Sequence, residues 1–370
     1  MNDSIFDACI VGGGPAGLAA AIAMQRQGLQ TTVLDRALPP VDKACGEALM
    51  PDGIPALREL GIELPVSMGL HFRGIRFLNG NSCVAAHFPT GTGLAVRRTA
   101  LHKLLIEAAE RAGVALQWGV KNVHLQEGSV VSDSRFLKAR WIIGADGQNS
   151  GIRRQTRLDL CWTEHRRYGF RQHYRIAPSS SYVELYWGPR CQVYVTPVAE
   201  DETGIAVISN GPKLRVRDAL ADFPELNQRI RSAPVASREM GGLSVTRRLR
   251  KVCLDRLALI GDASGSVDAI TGEGLCLSFK QALVLAEAIK NNRLRDYQAE
   301  HEKLSSRAYT MAALMLGISK RARLQNRALA SLAKRPAIFE LLLAIHVGQR
   351  SFLDLWPRSV LAFGAGLLGA

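Results

Sequence analysis

Three glycines in the stretch VGGGPAGLAAAIAMQRQGLQTTVLDRA have the spacing of a phosphate-binding turn. Gly12, Gly14 and Gly17 form a G-x-G-x-x-G pattern that follows an apolar run and leads into an alanine-rich segment. In such a turn the first glycine allows a tight bend, the second lets the backbone approach a pyrophosphate, and the third lets helix and strand pack closely. Asp35, at the end of the next apolar run, is placed to bind a ribose hydroxyl. The pattern predicts a dinucleotide site, against the alternative of a tight turn that binds nothing.

Two later segments could close around the same ligand. IIGADGQNSGIRR (Ile142–Arg154) and LALIGDASGSVDAITGEGLCLSFKQA (Leu257–Ala282) are apolar runs that lead into a glycine and an aspartate. A helix that begins near Gly272–Gly274 would point free N–H groups at whatever precedes it, and this partial positive charge stabilises an anionic ligand. The structural alternatives are a helix cap for Asp262 and a plain loop for the glycines.

In this order the three segments resemble the fingerprints of the FAD-dependent hydroxylase superfamily, which also includes geranylgeranyl reductases and flavin halogenases. KACGEALMPDGIPAL (Lys43–Leu57) and RRTALHKLL (Arg97–Leu105) are similar to other segments of that family, and the likeness covers residues 5–290. It implies an FAD cofactor that is reduced by NADPH or NADH. Because only one G-x-G-x-x-G occurs, the nicotinamide cofactor is expected to dock transiently rather than in a domain of its own.

The resemblance also assigns roles to residues of the implied FAD site. Asp146-Gly147 would lie near the pyrophosphate and the nicotinamide route, Asp262 on the ribityl chain, Arg98 against the cofactor, and the backbone of Val123 against adenine. The complete set of expected cofactor-binding residues is Gly12, Gly14, Pro15, Ala16, Gly17, Asp35, Arg36, Cys45, Gly46, Arg98, Val123, Asp146, Gly147, Gly261, Asp262, Gly272, Glu273, Gly274 and Leu275.

The chain departs from the family pattern in one place, and the signatures of two branches of the family are not found in it. Many relatives carry a proline just before the T-G-E-G turn, where this chain has Asp268-Ala269. The tryptophan motif and the lysine that mark flavin halogenases are also not found, because Trp162 and Trp187 stand alone in the sequence. The aromatic P-x-x-Y-x-W-x-F-P signature of the reductases is not visible either, and LYWGPRCQVYVTPV is only loosely similar to it. Halogenation is therefore disfavoured, a lipid reductase is less supported than a hydroxylase, and the shape of the wall before the turn is left open.

Cys45, within Ala-Cys-Gly-Glu, is the candidate catalytic side chain. In the reductase branch of the family a Cys-Gly pair at this position lies by the flavin, so the thiol could line the active site, gate the substrate or form an adduct. The alternative is a small apolar wall residue. Glu47 and Glu273 could act as acid or base. The eight histidines show no metal or triad spacing, so we expect no metal site.

The elements that must position these residues alternate between strand and helix. Phe6–Val11, Thr31–Leu34, Val114–Trp118, Trp141–Gly144 and Leu257–Ile260 are expected strands, and Pro15–Gln27 and Arg97–Ala112 are expected helices. Between about Arg166 and Ser209 the apolar period changes to two, which predicts an antiparallel sheet with turns at Gly188-Pro189 and near Asp201. From Gly274 onward the pattern is helical.

The predicted fold is therefore α/β, with a discontinuous Rossmann-like FAD-binding domain of the glutathione-reductase type, an inserted antiparallel substrate domain and a helical C-terminal region. The expected boundaries are 1–70, 95–165 and 250–290 for the FAD domain, 71–94 and 166–249 for the substrate domain, and 291–370 for the helices. Substrate-facing residues are expected on the sheet at Arg171, Tyr174, Tyr186 and Tyr194.

Charge, motifs and cysteine content limit the binding partners and the localisation that we expect. The formal net charge is +14, but no zinc-finger spacing or aromatic-interleaved basic motif occurs, so no nucleic-acid partner is expected. Basic residues near the C-terminus, from Lys320 to Arg335, border apolar positions at helical spacing and leave peripheral membrane contact open, against an amphipathic helix packed on the domain. Seven widely spaced cysteines and an acidic first segment without a signal-peptide pattern predict a cytoplasmic protein. Nothing in the sequence indicates an oligomeric state.

Three functions are weighed on this basis. The first is an NAD(P)H-dependent monooxygenase that uses molecular oxygen, through a flavin C4a-hydroperoxide, to hydroxylate a small organic substrate of secondary metabolism. The second is a C=C reductase or dehydrogenase that acts on a lipid, terpenoid or polyketide with the same reduced flavin, and Cys45 and the basic helical tail favour it. The third is a nucleotide-binding or redox-sensing protein with a silent site.

Overall fold

A computed structural model of the chain describes residues 6–80, 82–126, 128–132 and 135–355. The strands are β1 (Phe6–Val11), β2 (Thr31–Asp35), β3 (Ala48–Leu49), β4 (Leu70–Phe72), β5 (Gly74–Asn79), β6 (Ser82–His87), β7 (Gly93–Ala95), β8 (Ala115–Trp118), β9 (His124–Gln126), β10 (Ser129–Ser132), β11 (Arg135–Leu137), β12 (Ala139–Gly144), β13 (Cys161–Tyr174), β14 (Val183–Trp187), β15 (Cys191–Ala199), β16 (Glu202–Ser209), β17 (Met240–Leu249), β18 (Cys253–Leu254), β19 (Leu257–Leu259) and β20 (Gly265–Ser266). The α-helices are α1 (Pro15–Arg26), α2 (Ile54–Glu59), α3 (Arg98–Arg111), α4 (Gly151–Gln155), α5 (Val216–Leu220), α6 (Pro224–Ile230), α7 (Gly274–Lys290), α8 (Leu294–Ser319), α9 (Ala322–Lys334) and α10 (Pro336–His346).

The first sheet is the parallel sheet that the glycine turn predicts. Its order is β18-β19-β12-β1-β2-β8, with every pair parallel except β18 with β19. The last four residues of β1 are buried, as expected for a strand covered on both faces. Helix α1 starts with proline, continues almost entirely in buried small and apolar residues, and packs against α3 and α7. The strand–helix–strand unit is confirmed to within a residue at each end.

The second sheet has eight strands in the order β20-β17-β13-β16-β15-β14-β5-β6. All its pairs are antiparallel except β14 with β5. The tight connections from β14 to β15 and from β15 to β16 fall where the turns were predicted. The sheet extends further than the alternating pattern indicated, since β13 begins at Cys161 and β5, β6 and β17 also join it.

Helices follow the sheets, in agreement with the pattern read after Gly274. Helices α9 and α10 pack on β5 and β6, with the rings of Phe77 and Phe339 centred 5.4 Å apart. Three apolar residues of α9, Ala328, Leu329 and Leu332, are buried. The predicted helical end from residue 356 onward lies outside the described residues. Among the described residues, no helix is both long and apolar enough to cross a bilayer.

A buried histidine makes the folded chain sensitive to acid. His301 on α8 contacts the Ser264 hydroxyl at 2.8 Å and the Gln281 amide at 3.1 Å, and burial lowers its pKa to about 4. In the unfolded chain a histidine titrates near pH ~6.5. Below that pH the unfolded state therefore takes up a proton that the folded state refuses, and stability falls until the folded pKa is passed.

We expect the free energy of unfolding to fall by about 2 kcal/mol between pH ~7.5 and ~5 because of His301. Denaturant titration at both pH values measures this difference, and His301→Gln should remove most of it. His165→Gln, at an exposed site, is the control and should behave like the wild type. An equal pH-dependent loss in the wild type and in His301→Gln would contradict the assignment.

Candidate active site

One cavity of about 610 Å³ connects the two sheets and the C-terminal helices. Its walls come from the segments that follow β1, β12 and β19, from the loop between Lys43 and Met50, and from one face of the eight-stranded sheet. Helices α8, α9 and α10 close its far end. The carboxyl ends of parallel strands are where open α/β sheets bind ligands, so this is the candidate site.

The three glycines of the turn differ in what surrounds them. A Cβ on Gly12, whose φ is +115°, would lie 2.3 Å from the Ala145 carbonyl oxygen, and a Cβ on Gly17 would lie 1.9 Å from the Gly12 oxygen. These two glycines are required by contacts within the protein. A Cβ on Gly14 would meet no protein atom within 4 Å, and Gly14 lines the cavity. The second glycine therefore leaves open space on the cavity wall, where a ligand can approach the backbone.

Asp35 and His102 hold this turn from behind. The Asp35 carboxylate accepts N–H bonds from Gly13 at 2.6 Å and Ala37 at 2.7 Å. The His102 Nδ1 accepts the Val41 N–H at 3.0 Å, so its Nε2 donates to the Gly13 carbonyl at 2.7 Å. Burial lowers the pKa of His102, which keeps the ring neutral. Asp35 thus orients the turn and does not itself line the cavity. Sequence spacing gave no signal for His102.

The segment after β12 has one carboxylate oxygen free for a ligand. Asp146 Oδ2 accepts the N–H groups of Gly151 at 2.6 Å and Ile152 at 3.2 Å. Asp146 Oδ1 is buried and has no hydrogen-bond partner in the described part of the chain. Asp146 and Gly147 both line the cavity. The Arg153 guanidinium joins this segment to the one after β19, through the carbonyls of Gln148 and Ala263.

Asp262 and the turn before α7 form the opposite wall. Enclosure by protein raises the pKa of Asp262, although its side chain faces the open cavity, and the charges of Lys43 and Arg98 oppose the shift. Gly272 has φ +68°, which glycine adopts without strain. Gly274 begins α7 on the cavity wall, and no side chain of the described residues caps that helix, so its first N–H groups are available to a ligand.

Asp268 explains why this turn does without the usual proline. Its carboxylate pairs with Arg167 on β13 at 2.8 Å and accepts the Ile270 N–H at 2.9 Å and the Thr246 hydroxyl at 3.2 Å. Arg167 and Asp268 are both buried. A buried side-chain cap that is paired with the eight-stranded sheet therefore fixes the segment before Thr271.

Cys45 and Gly46 lie on the cavity wall and are positioned by the sheet beneath them. The Gly46 carbonyl accepts the Thr196 hydroxyl at 2.9 Å, and Glu47 adopts φ +59°, which is uncommon for a residue with a side chain. The Cys45 sulfur accepts the Glu47 N–H at 3.4 Å. The segment is therefore held in a specific conformation with the thiol half-exposed.

Glu47 is the centre of a buried charged network. Its carboxylate accepts the Arg98 N–H at 2.8 Å and contacts the His173 Nε2 and, at 3.9 Å, the Arg171 Nε. Arg171 in turn pairs with Asp42 and contacts His173. Burial by itself would raise the pKa of Glu47, but His173 and Arg171 hold it below its ordinary value. Glu47 is therefore an ionised positioning group rather than the acid or base considered from the sequence.

Most of the expected cofactor residues meet on the cavity, and some do not. Those on its wall are Gly14, Pro15, Ala16, Arg36, Cys45, Gly46, Arg98, Asp146, Gly147, Asp262, Gly272, Gly274 and Leu275. Gly261 packs against Ala16, and Glu273 is buried behind the turn, where it pairs with Arg307 at 3.0 Å. Val123 lies in the loop after β8, away from the cavity wall.

Of the four expected substrate-facing residues, only Arg171 and Tyr194 line the cavity. The prediction for Tyr174 and Tyr186 is wrong, because both belong to the core on the other face of the sheet. Successive residues of a strand point to opposite faces, so Val183, Leu185 and Trp187 face the cavity while Tyr186 packs on Phe223. The same alternation would have identified these three residues from the sequence if the face occupied by one residue of β14 had been known.

These features fit an FAD molecule lying along the cavity. Gly14, Gly46 and Gly274 line it, and a Cβ on any of them would have met no protein atom within 4 Å. The N-terminus of α1 has no side-chain cap and can receive a phosphate. The unpaired Asp146 oxygen can accept a hydroxyl. The groove along these residues therefore fits the cofactor, and the cavity continues from it to an apolar far end.

Sheet, turn and cavity together place the chain among Rossmann-type dinucleotide-binding proteins. The chain belongs to the family described as an FAD binding domain, which matches residues 6–310. This confirms the flavoprotein resemblance and makes the chain an FAD-dependent oxidoreductase.

Similar proteins include reductases and a dehydrogenase. Menaquinone reductase of Mycobacterium tuberculosis is 28% identical over 327 residues, which cover 79% of this chain and 78% of that protein. Digeranylgeranylglycerophospholipid reductase of Methanocaldococcus jannaschii is 24% identical and covers 81% of both. The crystal structure of a flavoprotein/dehydrogenase from Cytophaga hutchinsonii has a TM-score of 0.81 at 17% identity and covers 99% of this chain and 98% of that one. The last likeness is one of fold alone.

Proposed function

We propose that the protein is an FAD-dependent reductase that saturates a carbon–carbon double bond in an extended apolar molecule. The observation that carries the proposal is that the FAD groove and an apolar chamber form one continuous cavity. The chamber is walled by Ile75, Phe77, Val183, Leu185 and Trp187 on the sheet side and by Met311, Leu314, Met315, Ile318, Leu332, Phe339, Leu342 and Leu343 on the helix side. Such a wall favours an apolar ligand over a polar one.

The similarity to named reductases supports the same function. Two curated relatives are named as reductases of menaquinone and of digeranylgeranylglycerophospholipid, and a chamber of this kind suits an apolar chain. Both likenesses extend over most of this chain. This C=C reductase is the second of the three functions that the sequence leaves open.

FAD supplies hydride transfer when it is bound. The chain's own residues have three tasks in a double-bond reduction. The chamber walls exclude water and orient the substrate, the α7 N-terminus supplies partial positive charge beside the groove, and a protonated group must provide the second hydrogen. Cys45 lines the same cavity and its thiol is half-exposed there, so we assign the proton to its Sγ.

A monooxygenase is the second candidate. The observation that favours it is the same water-excluding wall, because a reactive oxygen species formed at a flavin must be kept from water. The two functions differ in their need for oxygen. The purified protein should be supplied with NADPH, NADH or dithionite, in air and under nitrogen, together with a menaquinone and a polyunsaturated isoprenoid lipid. Anaerobic turnover to a product with two added hydrogens supports the reductase. Incorporation of isotopically labelled oxygen into the product would contradict the reductase proposal and support the monooxygenase.

We expect Cys45→Ala to retain FAD and to lower anaerobic turnover roughly a hundredfold, which is typical for the loss of a general acid. Cys83→Ala is the matched control, since Cys83 is exposed and does not line the cavity. Visible absorbance gives the FAD content, and single-turnover reoxidation by substrate isolates the proton-dependent step. Unchanged turnover in Cys45→Ala would show that the thiol is not the proton donor and that Cys45 only lines the cavity.

A further inference from the structure

The corner where α8 ends and α9 begins has an exposed basic surface. Lys320, Arg321 and Arg323 are all exposed, and none of them forms an ion pair with another residue in the described ranges. Residues 311–339 contain six lysines and arginines and no aspartate or glutamate. The positive charge of this corner is therefore not neutralised by neighbours in sequence.

Apolar side chains lie beside these charges. Leu316 and Leu324 are only half-buried, and they belong neither to the cavity wall nor to the buried core clusters. Met315 and Ile318, next to them on α8, do line the apolar chamber. The corner thus joins an outer surface with leucines and basic residues to the apolar end of the cavity.

The partly exposed leucines lie at the corner between α8 and α9 rather than along the whole of α9. Ala328, Leu329 and Leu332 of α9 are buried, so the packed amphipathic helix, one of the two alternatives from the sequence, describes these three residues correctly. The corner is held in shape by the Gln325 side chain, which donates to the Ser319 carbonyl at 2.8 Å. Of the three leucines of α9, Leu324 is the one that is left partly exposed.

We propose that this corner docks the protein on the surface of an anionic phospholipid bilayer. Lys320, Arg321 and Arg323 would contact the lipid phosphates, and Leu316 and Leu324 would enter the boundary between headgroups and acyl chains. An apolar molecule that dissolves in the bilayer could then reach the chamber past Met315 and Ile318. The docking goes beyond the proposed reaction and does not depend on it, because binding to vesicles is measured without turnover.

The test is flotation of the FAD-loaded protein with two kinds of vesicle, one of phosphatidylglycerol and phosphatidylcholine in equal parts and one of phosphatidylcholine alone. We expect binding to the anionic vesicles only, and weaker binding as salt is raised. Charge reversal in a K320E/R321E/R323E variant should weaken this binding at least about tenfold. The matched control is K213E/R217E/R231E, which changes net charge equally at exposed sites near α5 and α6 and should bind like the wild type.

Two further measurements keep the outcome decisive. The neutralising variant R321Q/R323Q should show a smaller loss, and melting temperature and FAD content identify any variant that misfolds. Equal loss in both charge-reversal variants would reduce the effect to net charge and overturn the proposal. Binding to heparin or DNA is measured in the same way. If the wild type bound them as strongly as the vesicles, and if the K320E/R321E/R323E change weakened that binding equally, the corner would be a general polyanion site and the proposal would be overturned.

Discussion

Gly14→Val is expected to leave the chain folded and to abolish its retention of FAD. Apart from its chain neighbours, no atom of the described residues lies within 4 Å of a Cβ at position 14, and the backbone there is extended, so the first side-chain carbon of valine meets no steric conflict. Its side chain would occupy the place where a phosphate must approach the N-terminus of α1. We expect FAD affinity to fall by more than about a thousandfold, or ~4 kcal/mol.

Gly17→Ala is the matched comparison, because it should fail for the opposite reason. Its Cβ would lie 1.9 Å from the Gly12 carbonyl oxygen, so the strand and helix must separate. Overpacking of this kind typically costs about 1–3 kcal/mol. Thermal melting of the flavin-stripped proteins and fluorescence titration with FAD separate the two effects. If Gly14→Val melted as early as Gly17→Ala, or if it bound FAD like the wild type, the space at Gly14 would not be the phosphate site.

The parts of the fold that follow from local chemistry could be predicted from the sequence. The limits of α1 depend on Pro15 at its start and Gly28 just after its end, and the structure places the helix at Pro15–Arg26. The alternating segment likewise predicts antiparallel strands and their turns. The face that each strand presents depends on which layer covers it, and the sequence of β14 does not contain that information. Tyr186 was for this reason placed on the wrong side of the sheet.

Positioning residues were the least predictable part of the site. Glu47 meets His173 across 126 positions of sequence, and His102 meets Gly13 across 89. Such contacts are created by the packing of separate elements, and no spacing rule connects their members. The glycines could be identified because a backbone that approaches a phosphate restricts residue type at fixed local spacing. No comparable local constraint fixes the residue type or the sequence position of His102 or Glu47.

Glu47→Ala is expected to be among the most destabilising substitutions in the chain. The side chain is buried, and its loss would leave His173 buried without its carboxylate and Arg171 with Asp42 as its remaining acidic partner. Removal of one partner from a buried ion pair costs about 3–5 kcal/mol. Glu47→Gln keeps the volume and one acceptor oxygen, so we expect about half that loss. Denaturant titration at neutral pH measures both variants.

The pH dependence of Glu47 gives a signature that general destabilisation would not produce. The folded-state pKa of Glu47 is depressed, so its contribution is complete above the pKa of the unfolded chain, near ~4.5, and is lost as pH falls through the lower folded value. The wild type should therefore lose stability below pH ~4.5 more steeply than Glu47→Gln. Both proteins contain His301, so its acid sensitivity cancels in the comparison.

A double-mutant cycle would decide whether Glu47 acts through this network. Glu47→Gln and His173→Gln remove two sides of one contact, so their effects should be non-additive by about 1–3 kcal/mol. Glu47→Gln combined with Arg190→Gln, which removes a remote surface pair with Asp222, should be additive. The rate at which iodoacetamide modifies Cys45, followed by peptide mass spectrometry, should also change in Glu47→Gln. Because the Glu47 N–H contacts the Cys45 sulfur, movement of this backbone must alter the position of the thiol. An additive cycle with an unchanged alkylation rate would mean that Glu47 only fills space in the core.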